Sequence, residues 1–132
     1  MACRIVQLGT PRSADEGVRF GSVRRPPRGV AKQDFARLDY YDVWMPLLSP
    51  SLALMQQARE VAQEKNTRRW AVFERAFIKE LSANGGLQTL DAMAALSHQS
   101  GFSLGCYCED EGWCHRGILR RLLQDRGASV VP

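Results

Sequence analysis

Apolar positions along this chain switch between two periods. The β-branched run Arg4-Ile5-Val6-Gln7-Leu8 stops at Gly9-Thr10-Pro11 and predicts a first strand. Val18 to Val23 alternates weakly and predicts a second, closed by Arg24-Arg25-Pro26-Pro27-Arg28-Gly29. Two successive prolines fix φ and remove two donors, so this segment is neither helix nor central strand. It reads as a stiff, extended loop carrying three arginines. Leu38-Asp39-Tyr40-Tyr41-Asp42-Val43-Trp44 reads as a third strand or an irregular hydrophobic connection, punctuated by Pro46 and Pro50.

Helical spacing then takes over. A first helix runs to about Lys65 with Leu54, Met55, Ala58, Val61 and Ala62 on one side. Ser49 or Ser51 suits its N-cap, and Pro50 its first turn. Thr67 can cap a second helix, in which Trp70, Phe73, Phe77 and Leu81 recur every three or four residues until Asn84-Gly85-Gly86. Such an aromatic stripe is core rather than a cofactor box. A third helix is expected from about Leu87 to His98, with Leu87, Leu90, Met93 and Ala94 inward and Gly101 as its stop. Phe102 to Cys108 reads as a buried strand, and Glu109-Asp110-Glu111-Gly112 as an acidic turn. A last helix begins near Cys114 or His115 and ends at Gly127, packing Ile118, Leu119, Leu122 and Leu123. Val130-Val131 reads as a short edge strand or a frayed end, with 127–132 a flexible tail. Strands interleaved with helices predict a single α/β domain over residues 1–132, with a short, mostly parallel sheet flanked by helices.

Composition narrows the setting. The chain has 132 residues, 18 basic and 14 acidic, for a net charge of +4. That length supports one substantial core rather than two large domains. No apolar run approaches the ~20 residues that span a bilayer. The start Met1-Ala2-Cys3-Arg4 has no following apolar stretch of a secretory signal, so a cytoplasmic protein is expected. The charge is uneven: residues 1–37 hold eight bases and three acids, whereas the remainder is nearly balanced. Arginine outnumbers lysine 15 to 3. Guanidinium groups grip carboxylate or phosphate with a planar fork, so the bias bears on anion binding as well as on solvation.

The sharpest local feature is Cys106-Tyr107-Cys108-Glu109-Asp110-Glu111-Gly112-Trp113-Cys114-His115-Arg116. On the predicted elements it is a strand-to-helix turn at the carboxyl end of a strand, where open α/β sheets bind ligands. The helix N-terminus offers free N–H groups and partial positive charge, so His115 and Arg116 in its first turn call for an anion nearby. The acidic turn or a bound ligand can supply it.

Four readings remain open. Cys106, Cys108, Cys114 and His115 make a Cys₃His set suited to tetrahedral zinc. Cys106 and Cys108 share a strand face, yet the one-residue gap departs from zinc-knuckle spacing. Adjacent residues on a helix point about 100° apart, which opposes joint chelation by Cys114 and His115. Alternatively, Cys108 or Cys114 is a reactive thiol, its pKa lowered by the helix N-terminus and a neighbouring cation. A third reading has His115 and Arg116, with loop arginines, hold a phosphate or carboxylate. In the fourth the cysteines are small buried hydrophobes and His115 packs or caps. Elsewhere, His98 suits a cap at a helix end. Trp113 suits stacking on a ligand or plugging the helix start. Tyr40, Tyr41 and Trp44 suit packing or base stacking. No phosphate loop, dinucleotide fingerprint or nucleic-acid module is present.

An ordered series of residues resembles a known family. Arg19, Arg24 and Pro27-Arg28-Gly29 come first, then Pro50-Ser51 with Leu54, then Trp70, Phe73, Phe77 and Glu80-Leu81. Cys108-Glu109 and Cys114-His115-Arg116 with Leu119 complete it. The series is similar to that of the YeaO-like proteins, small bacterial proteins of the domain-of-unknown-function group 488, over about residues 4–126. The resemblance implies a single-domain, cytoplasmic α/β protein and no established activity. The family pattern usually has an Asp before the first Arg and a Trp before Pro-Arg-Gly, where this chain has Val23 and Pro26.

These readings converge on one expected site. Arg24, Arg28 and Arg116 would bind an anionic, phosphate-bearing small molecule or nucleic acid, with His115, Glu109 and Cys108 as candidate catalytic groups. No cofactor is specified. The alternatives are a nucleic-acid or partner-binding module using a basic face of residues 19–37, and a Cys/His metal- or redox-sensing protein.

Overall fold

A computed structural model describes all 132 residues. Four strands form one all-parallel sheet: β1 (Cys3–Gln7), β2 (Val18–Gly21), β3 (Val43–Trp44) and β4 (Phe102–Cys106). Their spatial order is β1-β4-β2-β3. β4 is last in sequence and central in space, with Leu104 opposite Ile5 on one side and Phe20 on the other. All five of its residues are buried, as a strand flanked by two neighbours and covered by helices requires. No helix is long and apolar enough to cross a membrane.

Four helices complete the fold: α1 (Leu52–Glu64), α2 (Thr67–Asn84), α3 (Gly86–Leu96) and α4 (His115–Asp125). The aromatic stripe of α2 is core, with Phe73, Phe77 and Leu81 buried and Trp70 packed against them. Phe102 and Leu104 of β4 and Ile118, Leu119, Leu122 and Leu123 of α4 meet them in the main core. A second, smaller cluster of Leu8, Val23, Tyr41, Cys106 and Cys114 lies at the carboxyl ends of the strands.

Boundaries differ from the sequence expectation where side chains compete for backbone groups. Ser51 caps α1 by accepting from the Leu54 N–H, which leaves Pro50 buried before the cap rather than in the first turn. Asn66, not Thr67, caps α2 through the Arg69 N–H. α3 stops at Leu96, and Gly101 lies beyond the turns that follow. The third strand shrinks to Val43–Trp44, because residues 35–39 fold into turns that end at Asp39 with φ 63°. β4 ends at Cys106, so Cys108 lies in the following turn. Beyond Gly127 the chain returns beside β1, where Cys3 N–H donates to Ser129 O and Val131 N–H to Cys3 O.

Arg19 is 0% exposed, which removes it from any basic face over residues 19–37. Its Nε and Nη2 donate to the two oxygens of Glu16 at 2.6 and 3.0 Å. Its Nη1 donates to Thr10 O and Asp39 O. Ser103 Oγ of β4 donates to the same carboxylate at 2.7 Å. Burial raises the Glu16 pKa, but the hydrogen bonds from Arg19 and Ser103 and the charge of Arg19 outweigh it and hold the carboxyl below its ordinary value. The depressed pKa means that Glu16 stabilises the fold fully above the unfolded-state value of about 4.3, and that this contribution is lost as pH falls through the lower folded-state value.

Removing one partner of a buried pair strands the other charge, so Arg19→Met should cost about 3–5 kcal/mol in urea unfolding. Glu16→Gln should flatten the loss of stability of the wild-type chain below about pH 4. An acid profile identical to wild type would contradict the assignment.

Candidate functional site

A parallel sheet places the carboxyl ends of its strands along one edge. β2 therefore delivers Ser22, Val23, Arg24 and Arg25 to the same edge at which β4 delivers Cys106. The chain after β4 makes a turn of 3-10 helix at Glu111–Trp113 and enters α4 at His115, with Cys114 at the cap position. Asp110 shapes this turn by accepting from the Gly112 N–H at 2.9 Å. Gly117 allows α4 to lie against it: a Cβ there would sit 2.5 Å from Glu111 O.

The thiols and imidazole come together. Cys106 Sγ and Cys108 Sγ are 4.0 Å apart, and Cys114 Sγ is 3.9 Å from His115 Nδ1. The ligand atoms of Cys106, Cys114 and His115 all lie within 4.8 Å of one another. The objection that adjacent Cys114 and His115 diverge on a helix does not hold, because Cys114 is extended, at φ −132° and ψ 146°. Its side chain therefore follows a strand-like direction while His115 starts the helix. All four cysteines are free thiols; Cys108 alone is exposed.

The buried ring of His115 is fixed at both ends. Its Nε2 lies 2.6 Å from Ser22 O. A carbonyl can only accept, so Nε2 carries the proton and Nδ1 presents its lone pair to Cys114. Phe77 packs edge-on against the ring at 5.8 Å. Burial pushes the His115 pKa down to about 4, despite the Ser22 carbonyl, so the imidazole is neutral at pH 7. Hydrogen bonds from the Cys108 and Cys114 thiols lower the Cys106 pKa well below its ordinary value and raise those of the other two.

Arg116 is 4% exposed and forms no ion pair with a carboxylate. Its guanidinium donates to Cys108 O and to Glu109 O, and Nη1 lies 3.8 Å from Cys114 Sγ. Its Nε has no partner. The acidic turn does not neutralise it: Asp110 pairs with Lys65, and Glu111 with Arg120. Glu109 is exposed and meets Arg116 only through its carbonyl.

A cavity of about 210 Å³ opens over this cluster. Cys106, Cys108, Cys114 and His115 line it, together with Arg24, Arg25 and Arg59, an apolar face of α1, and Trp113. Arg24 is anchored by donating to Ser49 O and Pro50 O. Arg25 and Arg59 are exposed. Of the expected site residues, Arg24, Cys108 and His115 are brought together. Arg28 is exposed and outside the lining, and the Arg116 and Glu109 side chains are not part of it. Arg59 carries no signal in its residue type; its signal is the helical stripe it shares with Met55, Ala58 and Ala62. Ser22 left no sequence signal beyond its place after β2.

The other candidates make packing contacts. Trp113 meets Trp70 edge-on at 5.5 Å and lies under Lys65 Nζ. Tyr41 is buried, Tyr40 packs on Tyr107, and Trp44 Nε1 donates to Val23 O at 2.7 Å. His98 lies past the end of α3 and does not cap it; its Nε2 lies 2.8 Å from Gly127 O, beyond the end of α4.

Fold and site together define a small parallel α/β domain with a cysteine–histidine cluster at the carboxyl edge of its sheet. A family profile described as "Active DUF488-N3 subclade" matches residues 3–127, and the chain belongs to this DUF488 family. No curated protein and no solved structure matches it.

Gly117→Ala should push α4 off the Glu111 turn and cost about 1–3 kcal/mol in denaturant unfolding. Trp113 emission should shift as the turn moves. An unchanged midpoint would show that the close approach carries no weight.

Proposed function

We propose that this protein binds a small, phosphate-bearing ligand with an apolar body in the cavity over the cysteine–histidine cluster. One observation carries the reading: three arginines and no carboxylate line a cavity whose remaining surface is apolar side chains, thiols and imidazole. Arg24 is held by two backbone carbonyls, whereas Arg25 and Arg59 carry no ion pair and are exposed at the rim. Unpaired guanidinium groups facing a partly apolar cavity favour an anion, since charge-assisted hydrogen bonds strengthen where water is scarce. The N-terminus of α4 adds its dipole in the same direction. Leu52, Met55, Ala58 and Ala62 suit the ligand's apolar body.

Chemistry on the bound ligand is a further part of this reading. Cys108 is the exposed cysteine of the cavity, and His115 lines it with Nε2 held by Ser22 O and Nδ1 facing Cys114. Glu109 can exchange protons with the site only by swinging in from the surface. The matched subclade is described as active, which accords with an enzyme rather than a purely structural domain.

The reading is tested by calorimetric titration of metal-free protein with inorganic phosphate, nucleoside monophosphates and a short single-stranded oligonucleotide. One nucleoside monophosphate should bind per chain. Arg25→Ala and Arg59→Ala should each weaken it about tenfold or more, the loss of one charge-assisted hydrogen bond. Binding by none of the small ligands, or affinity unchanged in both variants, would overturn it. Tight, strongly salt-dependent binding of the oligonucleotide alone would point to a nucleic-acid surface instead.

A further inference from the structure

We propose that Cys106, Cys108, Cys114 and His115 form a tetrahedral zinc site at the floor of the cavity. The spacing of the donors is the first argument. At Zn–S of about 2.3 Å and Zn–N of about 2.0 Å, tetrahedral geometry sets ligand atoms about 3.6–3.8 Å apart. The Cys106–Cys108 and Cys114–His115 separations are 4.0 and 3.9 Å, and the Cys106, Cys114 and His115 ligand atoms lie within 4.8 Å of one another. Cys108 Sγ lies outside that three-residue set and touches it through Cys106, so closing the tetrahedron requires Cys108 to turn inward from its exposed position.

The orientation of His115 is the second. Nε2–H is committed to Ser22 O at 2.6 Å, which turns the Nδ1 lone pair toward the sulfurs. A backbone carbonyl on the distal nitrogen is the outer-shell contact that metal-binding histidines use to fix tautomer and direction.

The third argument is charge, and it selects Cys108 as the fourth ligand. Arg116 is a buried cation with no carboxylate partner, an unpaired Nε, and Nη1 directed at Cys114 Sγ. A buried charge requires a counter-charge. Zinc with two thiolates and a neutral imidazole is neutral and leaves Arg116 uncompensated. Zinc with three thiolates carries one negative charge and cancels it. Cys108 is the one exposed ligand, on the cavity side, so it is the corner most readily exchanged. On binding, the thiols release their protons to solvent and no redox change occurs.

The full chain, stripped by chelator under reducing conditions, is titrated with Co²⁺ and then with competing Zn²⁺. One Co²⁺ per chain should bind, with thiolate-to-cobalt charge-transfer absorption and the intense visible bands of a four-coordinate ion, and Zn²⁺ should displace it. Cys108→Ser alters an exposed position, so the core is left intact. It should keep one ion per chain while losing about one third of the charge-transfer intensity, as three thiolates become two. Arg116→Gln should weaken the ion about 10- to 100-fold, the range for loss of an outer-shell partner. Absence of four-coordinate Co²⁺ in the wild-type chain, or a Cys108→Ser spectrum identical to it, would overturn the proposal. No phosphate-bearing ligand enters this titration and no metal enters the calorimetry, so failure of one leaves the other standing or falling by itself.

Discussion

The buried contact between Arg19 and Glu16 is the constraint on which the rest of the structure turns. A guanidinium with no exposure needs its donors satisfied, and here they reach Glu16, Thr10 and Asp39. Glu16 in turn accepts from Ser103 of β4. One side chain thereby ties the β1–β2 connection, the turns before β3 and the central strand together. Register follows from this: with Arg19 opposite Ser103, Gly21 stands opposite Gly105. The next residue then brings its carbonyl to His115 Nε2 and its hydroxyl to Gly105 O. A slip of β2 by one residue would reverse its faces and carry both the pair and the histidine contact away.

This explains what the sequence revealed and what it concealed. The strands β1, β2 and β4 and the helices were legible because apolar period and capping residues act locally. The aromatic stripe of α2 is core, as its spacing predicts. The role of Arg19 was not legible. As a type it belongs with the other N-terminal arginines, and only the tertiary approach of Glu16 and two distant carbonyls makes it a buried structural element. The basic segment 19–37 accordingly divides: Arg19 is internal, Arg24 braces the chain before α1, Arg37 pairs with Asp34, and Arg25 and Arg28 face outward.

The candidate site shows the same division. A strand-to-helix turn at the sheet's carboxyl edge could be read from the order of elements. The meeting of Cys114 with His115 could not, because helix geometry separates adjacent side chains and the sequence does not show that Cys114 is extended. The acidic turn suggested a counter-charge for Arg116, yet its carboxylates are taken by Lys65 and Arg120. Which acid meets which base is set by the direction of the turn, and that depends on the Asp110 cap and the glycine contact at Gly117.

Val23 carries the argument about charge further. The resemblance to group 488 proteins usually places an aspartate there, and here the residue is buried against Cys106 and Cys114 and lines the cavity. A carboxylate at that position would sit among guanidinium groups and thiols. It would place a negative charge between the rim arginines and the sulfurs of the floor. With valine, the cavity is lined by Arg24, Arg25 and Arg59 and by no carboxylate. The floor keeps Cys114 Sγ 3.8 Å from Arg116 Nη1, with no carboxylate between them. An apolar residue at position 23 thus leaves one pocket with arginines at its rim and sulfurs at its floor, and no acidic side chain between them.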